Sequence, residues 1–334
     1  MLNLWSLASI AVVHHCMHGL MASLPRTCLA AITALALAAA PVAGQAPPAG
    51  PELGLVEGDA QALLRPDLTG QLEAYSFETF ARQTASVPWE LASLTAFGAV
   101  LGFKTWDWGS SSEFKFHPEG WFGDKTGSGG MDKLGHAFST YVVTDLLTER
   151  IIANGGGSGA AITAGLLSMG LMTAVEVVDG FSADHGFARE DMVMNALGAG
   201  FSVLRSTMPG LKEKLDFRLQ YFPSPHSSFR PLSDYMGQRY LLAVKLAGFE
   251  TFEQTPLRYF EVQGGYFARG FSKQEKLLNL DRDREFYVGV GFNFGEILFG
   301  SGGPFADTRA APYGRKVFEY VQPPFSAFTT DNRR

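Results

Sequence analysis

Three short clusters put ionisable and amide side chains into segments otherwise rich in small and apolar residues. They are Asp132-Lys133-Leu134-Gly135-His136-Ala137-Phe138-Ser139-Thr140, then Glu176-Val177-Val178-Asp179, then Arg189-Glu190-Asp191-Met192-Val193-Met194-Asn195-Ala196-Leu197-Gly198. One imidazole among carboxylates is the raw material for two chemistries. His136, Glu176, Asp179 and Asp191 are candidate metal ligands, and that donor set favours a hard divalent ion such as Mn²⁺, Mg²⁺ or Fe²⁺ over structural zinc. The same four residues are candidate catalytic groups, because buried carboxylates beside a histidine have shifted pKa values and can act as general base and acid. A third outcome is structural. Asp132, Lys133, His136, Ser139, Glu176, Asp179, Asp191 and Asn195 would then form an interhelical ion-pair and hydrogen-bond network, in which each buried charge requires a partner. No HExxH or Glu-x-x-His pair supports the metal, and Ser139 has no oxyanion-hole signature beside it. The structural network is therefore the leading expectation.

These residues need helices to bring them together. On a helix, residues three or four apart share a face. Asp132, Lys133, His136 and Ser139 or Thr140 then line one stripe, Glu176 and Asp179 a second, and Asp191, Asn195 and Ser202 a third. The stripes are expected to meet between packed helices. Ser86-Val87-Pro88 predicts the start of an apolar helix from Trp89 to about Phe103. The glycine loop Gly127-Ser128-Gly129-Gly130 reads as an elbow into a second helix, from about Lys133 to Ile152, which Asn154-Gly155-Gly156-Gly157 ends. A third, Gly159 to Val178, would be about 30 Å long, the thickness of a bilayer core. Small residues at Ala160, Ala164 and Ser168, and at Ala196 and Gly200 in a fourth helix, predict close backbone packing. Trp106, Trp108 and Trp121 read as core or interface anchors. No GxGxxG or GxxxxGK[ST] pattern is present, which argues against a nucleotide site.

Beyond Pro209 the pattern changes. Leu211 to Gln220 reads as charged, and from Tyr240 onward the period becomes two. In Phe286 to Phe294, the residues Phe286, Val288, Val290, Phe292 and Phe294 share one face, which reads as sheet core, with lipid contact implied if that stripe is exposed. Arg239–Phe249, Arg258–Phe271 and a fourth strand at Lys316–Val321 complete an expected antiparallel meander. Three or four strands are too few to close a membrane barrel alone.

The chain has 334 residues, 46% hydrophobic and 18% charged, with 38 glycines and 27 phenylalanines, and this composition points to the cell envelope. A net charge of −6 without a basic cluster excludes nucleic acid as an expected partner. Met21 to Arg26 gives a short basic start before the apolar run Leu29–Ala40, and Val42-Ala43-Gly44 or Gly44-Gln45-Ala46 offers a cleavage site. Residues 1–46 thus read as a signal peptide, with Met21 as an alternative start. Both cysteines, Cys16 and Cys28, fall within it. Pro25-Arg26-Thr27 is a poor setting for lipid attachment at Cys28. The expected division is a leader at 1–46, a linker and irregular segment at 47–85, a helical bundle at 86–210 and a β-rich region at 211–334. The fold class is α+β: about four helices with a polar interhelical cluster, then an antiparallel β-meander.

Asp132-Lys133-x-x-His136, Glu176, Asp179 and Asp191-x-x-x-Asn195-x-x-Gly198, preceded by Glu119-Gly120-Trp121-Phe122-Gly123, resemble the uncharacterised YfiM-like family of predicted periplasmic proteins. The same order is more distantly similar to VanZ-like membrane proteins. The resemblance covers about residues 100–205 and implies fold kinship and an envelope location, without an activity. The expected protein is exported, periplasmic and membrane-associated, with membrane lipid as its partner and a structural or lipid-associated role. The alternative is a metal-dependent or acid–base hydrolase acting on a lipid or cell-wall intermediate.

Overall fold

A computed structural model describes residues 68–224, 229–271, 273–277 and 279–331. The leader and the proline-rich stretch from Gln45 to Pro51 lie outside the described residues. Helices α1 (Leu68–Glu73), α2 (Phe77–Ala85), α3 (Pro88–Thr105), α4 (Met131–Ala153), α5 (Ala160–Asp179) and α6 (Arg189–Thr207) precede a curled six-stranded sheet, so the class is α+β as expected. Its strands are β1 (Leu215–Tyr221), β2 (Gln238–Lys245), β3 (Phe260–Arg269), β4 (Asp283–Phe292), β5 (Val321–Gln322) and β6 (Ala327–Thr329), in the order β5-β1-β2-β3-β4-β6. Strands β1 to β4 form the antiparallel meander, and β5 adds in parallel to β1. Helix α7 (Ala311–Tyr320) lies between β4 and β5.

The chain forms two compact units. Residues 87–117 and 173–188 belong to the first. There α3 stops where Trp108 folds back: a Cβ at Gly102 would lie 2.1 Å from the Trp108 ring, so only glycine fits. Trp108 is a core anchor, and its indole N–H donates to Asp179 Oδ1 at 2.5 Å.

The second unit holds residues 68–86, 118–172 and 189–331. Helices α4 and α6 pack so closely that a Cβ at Gly198 would sit 2.0 Å from the Ala137 carbonyl oxygen, which explains a glycine inside a helix. The buried core joins Met131 to Leu219, Tyr240, Tyr266 and Phe271, with Phe138 and Phe217 packed against it. Among the described residues, α5 is the one helix that by itself is long and apolar enough to cross a membrane.

Two expectations fail in the sheet. Residues Lys316 to Tyr320 form the end of helix α7, with only Val321–Gln322 in a strand. The spacing explains this: Lys316, Glu319 and Tyr320 stand three and four residues apart, and all three reach buried polar partners from one helical face. The other failure is the phenylalanine face. Phe286 is 80% exposed and Val288 60% exposed, so this stripe is not core. In register with it stand Val262 opposite Val290, Gly264 opposite Val288 and Phe328 opposite Val290, while Leu242 pairs with Gly264. Leu242, Val262, Val290 and Phe328 are exposed as well. The opposite face is mixed: Asp216, Arg218, Glu261 and Gln263 are buried on it, and so are Leu241, Ala243, Phe267 and Tyr287. Soluble antiparallel sheets normally bury the apolar face and wet the polar one. Here apolar side chains are buried on one face and left in the open on the other.

Candidate functional site

The first polar cluster of the second unit is built on α4. Gly129 (φ 64°) and Gly130 (φ 90°) turn the chain left-handed into the helix, and a Cβ at Gly130 would meet the Phe122 ring at 2.1 Å. The elbow is pinned by Tyr266, whose hydroxyl donates to the Gly129 carbonyl at 2.5 Å. Ser128 Oγ donates to Asp132. Lys133 follows on the first turn, and its side chain is only 1% exposed.

The lysine gathers three carboxylates. Its Nζ lies 2.5 Å from Glu119 Oε2, 3.0 Å from Asp132 Oδ2 and 2.9 Å from Asp191 Oδ1. One oxygen from each of these carboxylates falls within 4.8 Å of the others, which is the spacing of a cation cage. An ammonium group therefore stands where a divalent ion would coordinate, and the chain supplies its own counter-charge. One step further along the helix pair, His136 Nε2 is 3.8 Å from Asp191 Oδ2. The Thr140 hydroxyl lies 2.8 Å from both the His136 carbonyl and Asn195 Oδ1.

Of the residues singled out in the sequence, Asp132, Lys133, His136, Asp191 and Asn195 thus come together along α4 and α6. Ser139 lies on α4 beside Thr140 and makes none of these contacts among the described residues. Glu176 and Asp179 belong to the first unit. There Glu176 Oε2 accepts from the Ala188 N–H at 3.4 Å, and Asp179 accepts from Trp108.

Glu119 is the member that spacing arguments left out of the candidate set. It sits on a loop, and its place before Gly120-Trp121-Phe122 in the motif is the one sequence signal for it. Burial, its hydrogen bond with Asp132 and the charge of that carboxylate push Glu119 from 4.5 up to about 8, against the pull of Lys133. Burial opposes the ionised form of Asp132 too, yet the hydrogen bond with Glu119, the Lys133 ammonium and the Ser128 hydroxyl hold it down at about 2.

A pH signature follows from these opposed shifts. The folded state binds Glu119's proton more tightly than the unfolded chain, so this contribution is complete below 4.5 and is lost as pH rises through about 8. Asp132 acts in the other direction, and only below its ordinary 3.8. Between pH 5 and 8, urea unfolding should show wild-type stability falling with pH, and Glu119→Gln should flatten that slope. An identical slope in the variant would remove Glu119 as its source.

A second polar cluster, unannounced by any motif, lies on the inward face of the sheet. Arg205 from α6 is fully buried, donating to Asp216 at 2.7 Å, Glu319 at 3.1 Å and the Leu215 carbonyl at 2.7 Å. Asp216 also binds Arg218 at 2.6 Å and Lys245 at 2.7 Å, and Arg218 reaches Glu261 at 2.8 Å. On α4, Asp145 accepts from Lys316 and from the Tyr320 hydroxyl at 2.6 Å, while Glu149 holds Lys212 and Lys316 at 2.7 Å each. Burial disfavours charge on Asp145 and Asp216, but the surrounding lysines and arginines hold both carboxyls at about 2.

Compared with known proteins, residues 118–207 match the family described as "Predicted periplasmic lipoprotein (DUF2279)", a stretch that contains Glu119, Lys133, Asp191 and the α4–α6 pair. No curated protein and no solved structure matches the chain. The matched family's description names the periplasm, within the cell envelope that the leader and composition predict, and the chain is similar to that family over these residues.

Proposed function

We propose that this is an exported envelope protein with a structural, lipid-associated role, seated on a lipid surface by the outer half of its sheet. The observation that carries the reading is the exposed apolar face of β2, β3, β4 and β6. Leu242, Val262, Phe286, Val288, Val290 and Phe328 are exposed on it, while Leu241, Glu261, Gln263 and Tyr287 lie buried on the other face. A contiguous exposed apolar patch marks a contact surface, and in an envelope protein a lipid surface fits it. The likeness of residues 118–207 to a family described as predicted periplasmic lipoproteins supports the compartment. Lys133 within the cage of Glu119, Asp132 and Asp191 favours a scaffold over a metal site there, since these three carboxylates have an ammonium within 2.5 to 3.0 Å.

The reading is tested by flotation with vesicles of phosphatidylethanolamine and phosphatidylglycerol. Wild-type protein should rise with the vesicles, and Val288→Asp/Val290→Asp should stay in the dense fraction with an unchanged thermal melt. Equal flotation of both proteins, or a wild-type dimer that the substitutions dissociate, would contradict a lipid contact at this face.

A further inference from the structure

Wholly within the second unit, against the inward face of the sheet, lies a cavity of about 720 Å³. That is inside the size range of small-molecule sites. Its wall is two-sided. Ile152 and the Phe318 ring give it apolar surface, whereas Glu149 with Lys212 and Asp216 with Lys245 give it polar surface.

The charge of that polar side decides what fits. The second cluster joins five carboxylates (Asp145, Glu149, Asp216, Glu261, Glu319) to five cations (Arg205, Lys212, Arg218, Lys245, Lys316). That cluster is neutral, and the wall of the cavity itself mixes carboxylates (Glu149, Glu213, Asp216, Glu296, Glu319) with cations (Lys212, Arg218, Lys245, Arg315). An incoming anion would be repelled by the carboxylates beside Lys212, Arg218 and Lys245, and an incoming amine by those same cations beside Glu149 and Asp216. Either charge meets repulsion from the partner of the group it would bind. A neutral hydroxyl faces no such contest, because it can donate to a carboxylate and accept from an ammonium at once. The donors and acceptors remain. Glu149 takes both of its lysines on Oε1, leaving Oε2 as an acceptor, and Lys245 uses one N–H for Asp216 and one for the Lys212 carbonyl, leaving a third. Phe318, stacked on Phe294 with ring centroids 5.8 Å apart, lines the cavity with the part of its ring left uncovered, against which the C–H face of a sugar can pack.

We propose that this cavity binds an uncharged carbohydrate of about disaccharide size, with its hydroxyls on the Glu149–Lys212 and Asp216–Lys245 pairs and a ring against Phe318. The inference is independent of the lipid contact, which uses the opposite face of the sheet.

The test is calorimetric titration of the full chain with N,N′-diacetylchitobiose and with cellobiose, beside inorganic phosphate and ethanolamine. Saturable binding of a neutral disaccharide is expected, weakened about tenfold or more by Phe318→Ala and by Glu149→Gln. It should persist in Val288→Asp/Val290→Asp, so loss of lipid flotation and loss of sugar binding separate. Glu149 is 43% exposed, so its conservative variant should keep the wild-type melt even if Phe318→Ala does not fold. Free disaccharide and a vesicle-anchored glycolipid with the same neutral head distinguish a soluble from a membrane-borne source. Absence of binding by either disaccharide, tighter binding of phosphate or ethanolamine, or sugar binding unaffected by Glu149→Gln would each overturn the proposal.

Discussion

Replacing Lys133 by methionine is expected to destabilise the protein by about 3–5 kcal/mol, the usual cost of removing one partner of a buried ion pair. The ammonium is the shared counter-charge for Glu119, Asp132 and Asp191 at 2.5 to 3.0 Å. Without it, two or three carboxylates crowd one partly closed site, and their pKa values rise. A carboxyl group with a raised folded pKa loses its stabilising effect as pH rises, so the variant's deficit should be small near pH 4 and grow towards neutrality. The emptied cage should also acquire a taste for divalent ions, since an oxygen from each carboxylate lies within 4.8 Å of the others. Urea unfolding at several pH values, with and without Mn²⁺, measures both effects. Wild-type protein should gain nothing from Mn²⁺ at this cage, while Lys133→Met should recover part of its loss. A variant as stable as wild type at pH 8 would show that the lysine is not what holds these carboxylates.

The second large effect is expected at Arg205. Its guanidinium is completely buried and joins α6 to β1 through Asp216 and Leu215, and to α7 through Glu319. Arg205→Met preserves much of the side-chain volume but leaves Asp216 with two of its three cations and takes a donor from the Leu215 carbonyl. A loss of about 3–5 kcal/mol is expected. Arg205→Lys should recover little of it, because a single ammonium cannot reproduce a fork that serves a carbonyl and two carboxylates. Chemical denaturation of both variants checks this. Full rescue by lysine would mean that charge alone, without the planar geometry, explains the site.

The sequence makes the helices legible and hides much of the sheet. Helices α3, α4 and α5 fall within two residues of the expected bounds, since Pro88 and the glycine runs around 127–130 and 154–157 punctuate long apolar stretches. Strand β1 was concealed by Asp216 and Arg218. Charged residues at alternate positions suggest a wet face, but here that face is the buried one. An alternating apolar stripe misleads at Phe286, Val288 and Val290 as well, because it reads as core whether or not another layer of the fold packs on it. Lys316, read as part of a strand, belongs to a helix because its partners Asp145 and Glu149 lie some 170 residues earlier in the chain, beyond any local pattern.

The candidate site was legible in part for a related reason. Asp132, Lys133, His136, Asp191 and Asn195 stand at helical spacing, and helix faces can be read directly. Glu119 comes from a loop and is fixed only by tertiary contacts, including the Gly120 N–H donating to Glu190 at 3.1 Å. Arg205 had no visible partner in the sequence, because its carboxylates come from α4, β1 and α7.

The claim that the sheet's outer face meets lipid is tested most directly by a label placed on it. In a Cys16→Ser/Cys28→Ser background, Val288→Cys carries an environment-sensitive fluorophore on the exposed stripe, and Asp307→Cys carries it at an exposed position elsewhere in the second unit. With vesicles whose acyl chains are brominated, the label at 288 should shift to the blue and be quenched, and the label at 307 should do neither. A label at 288 that stays in water, or equal quenching at both positions, would contradict the account.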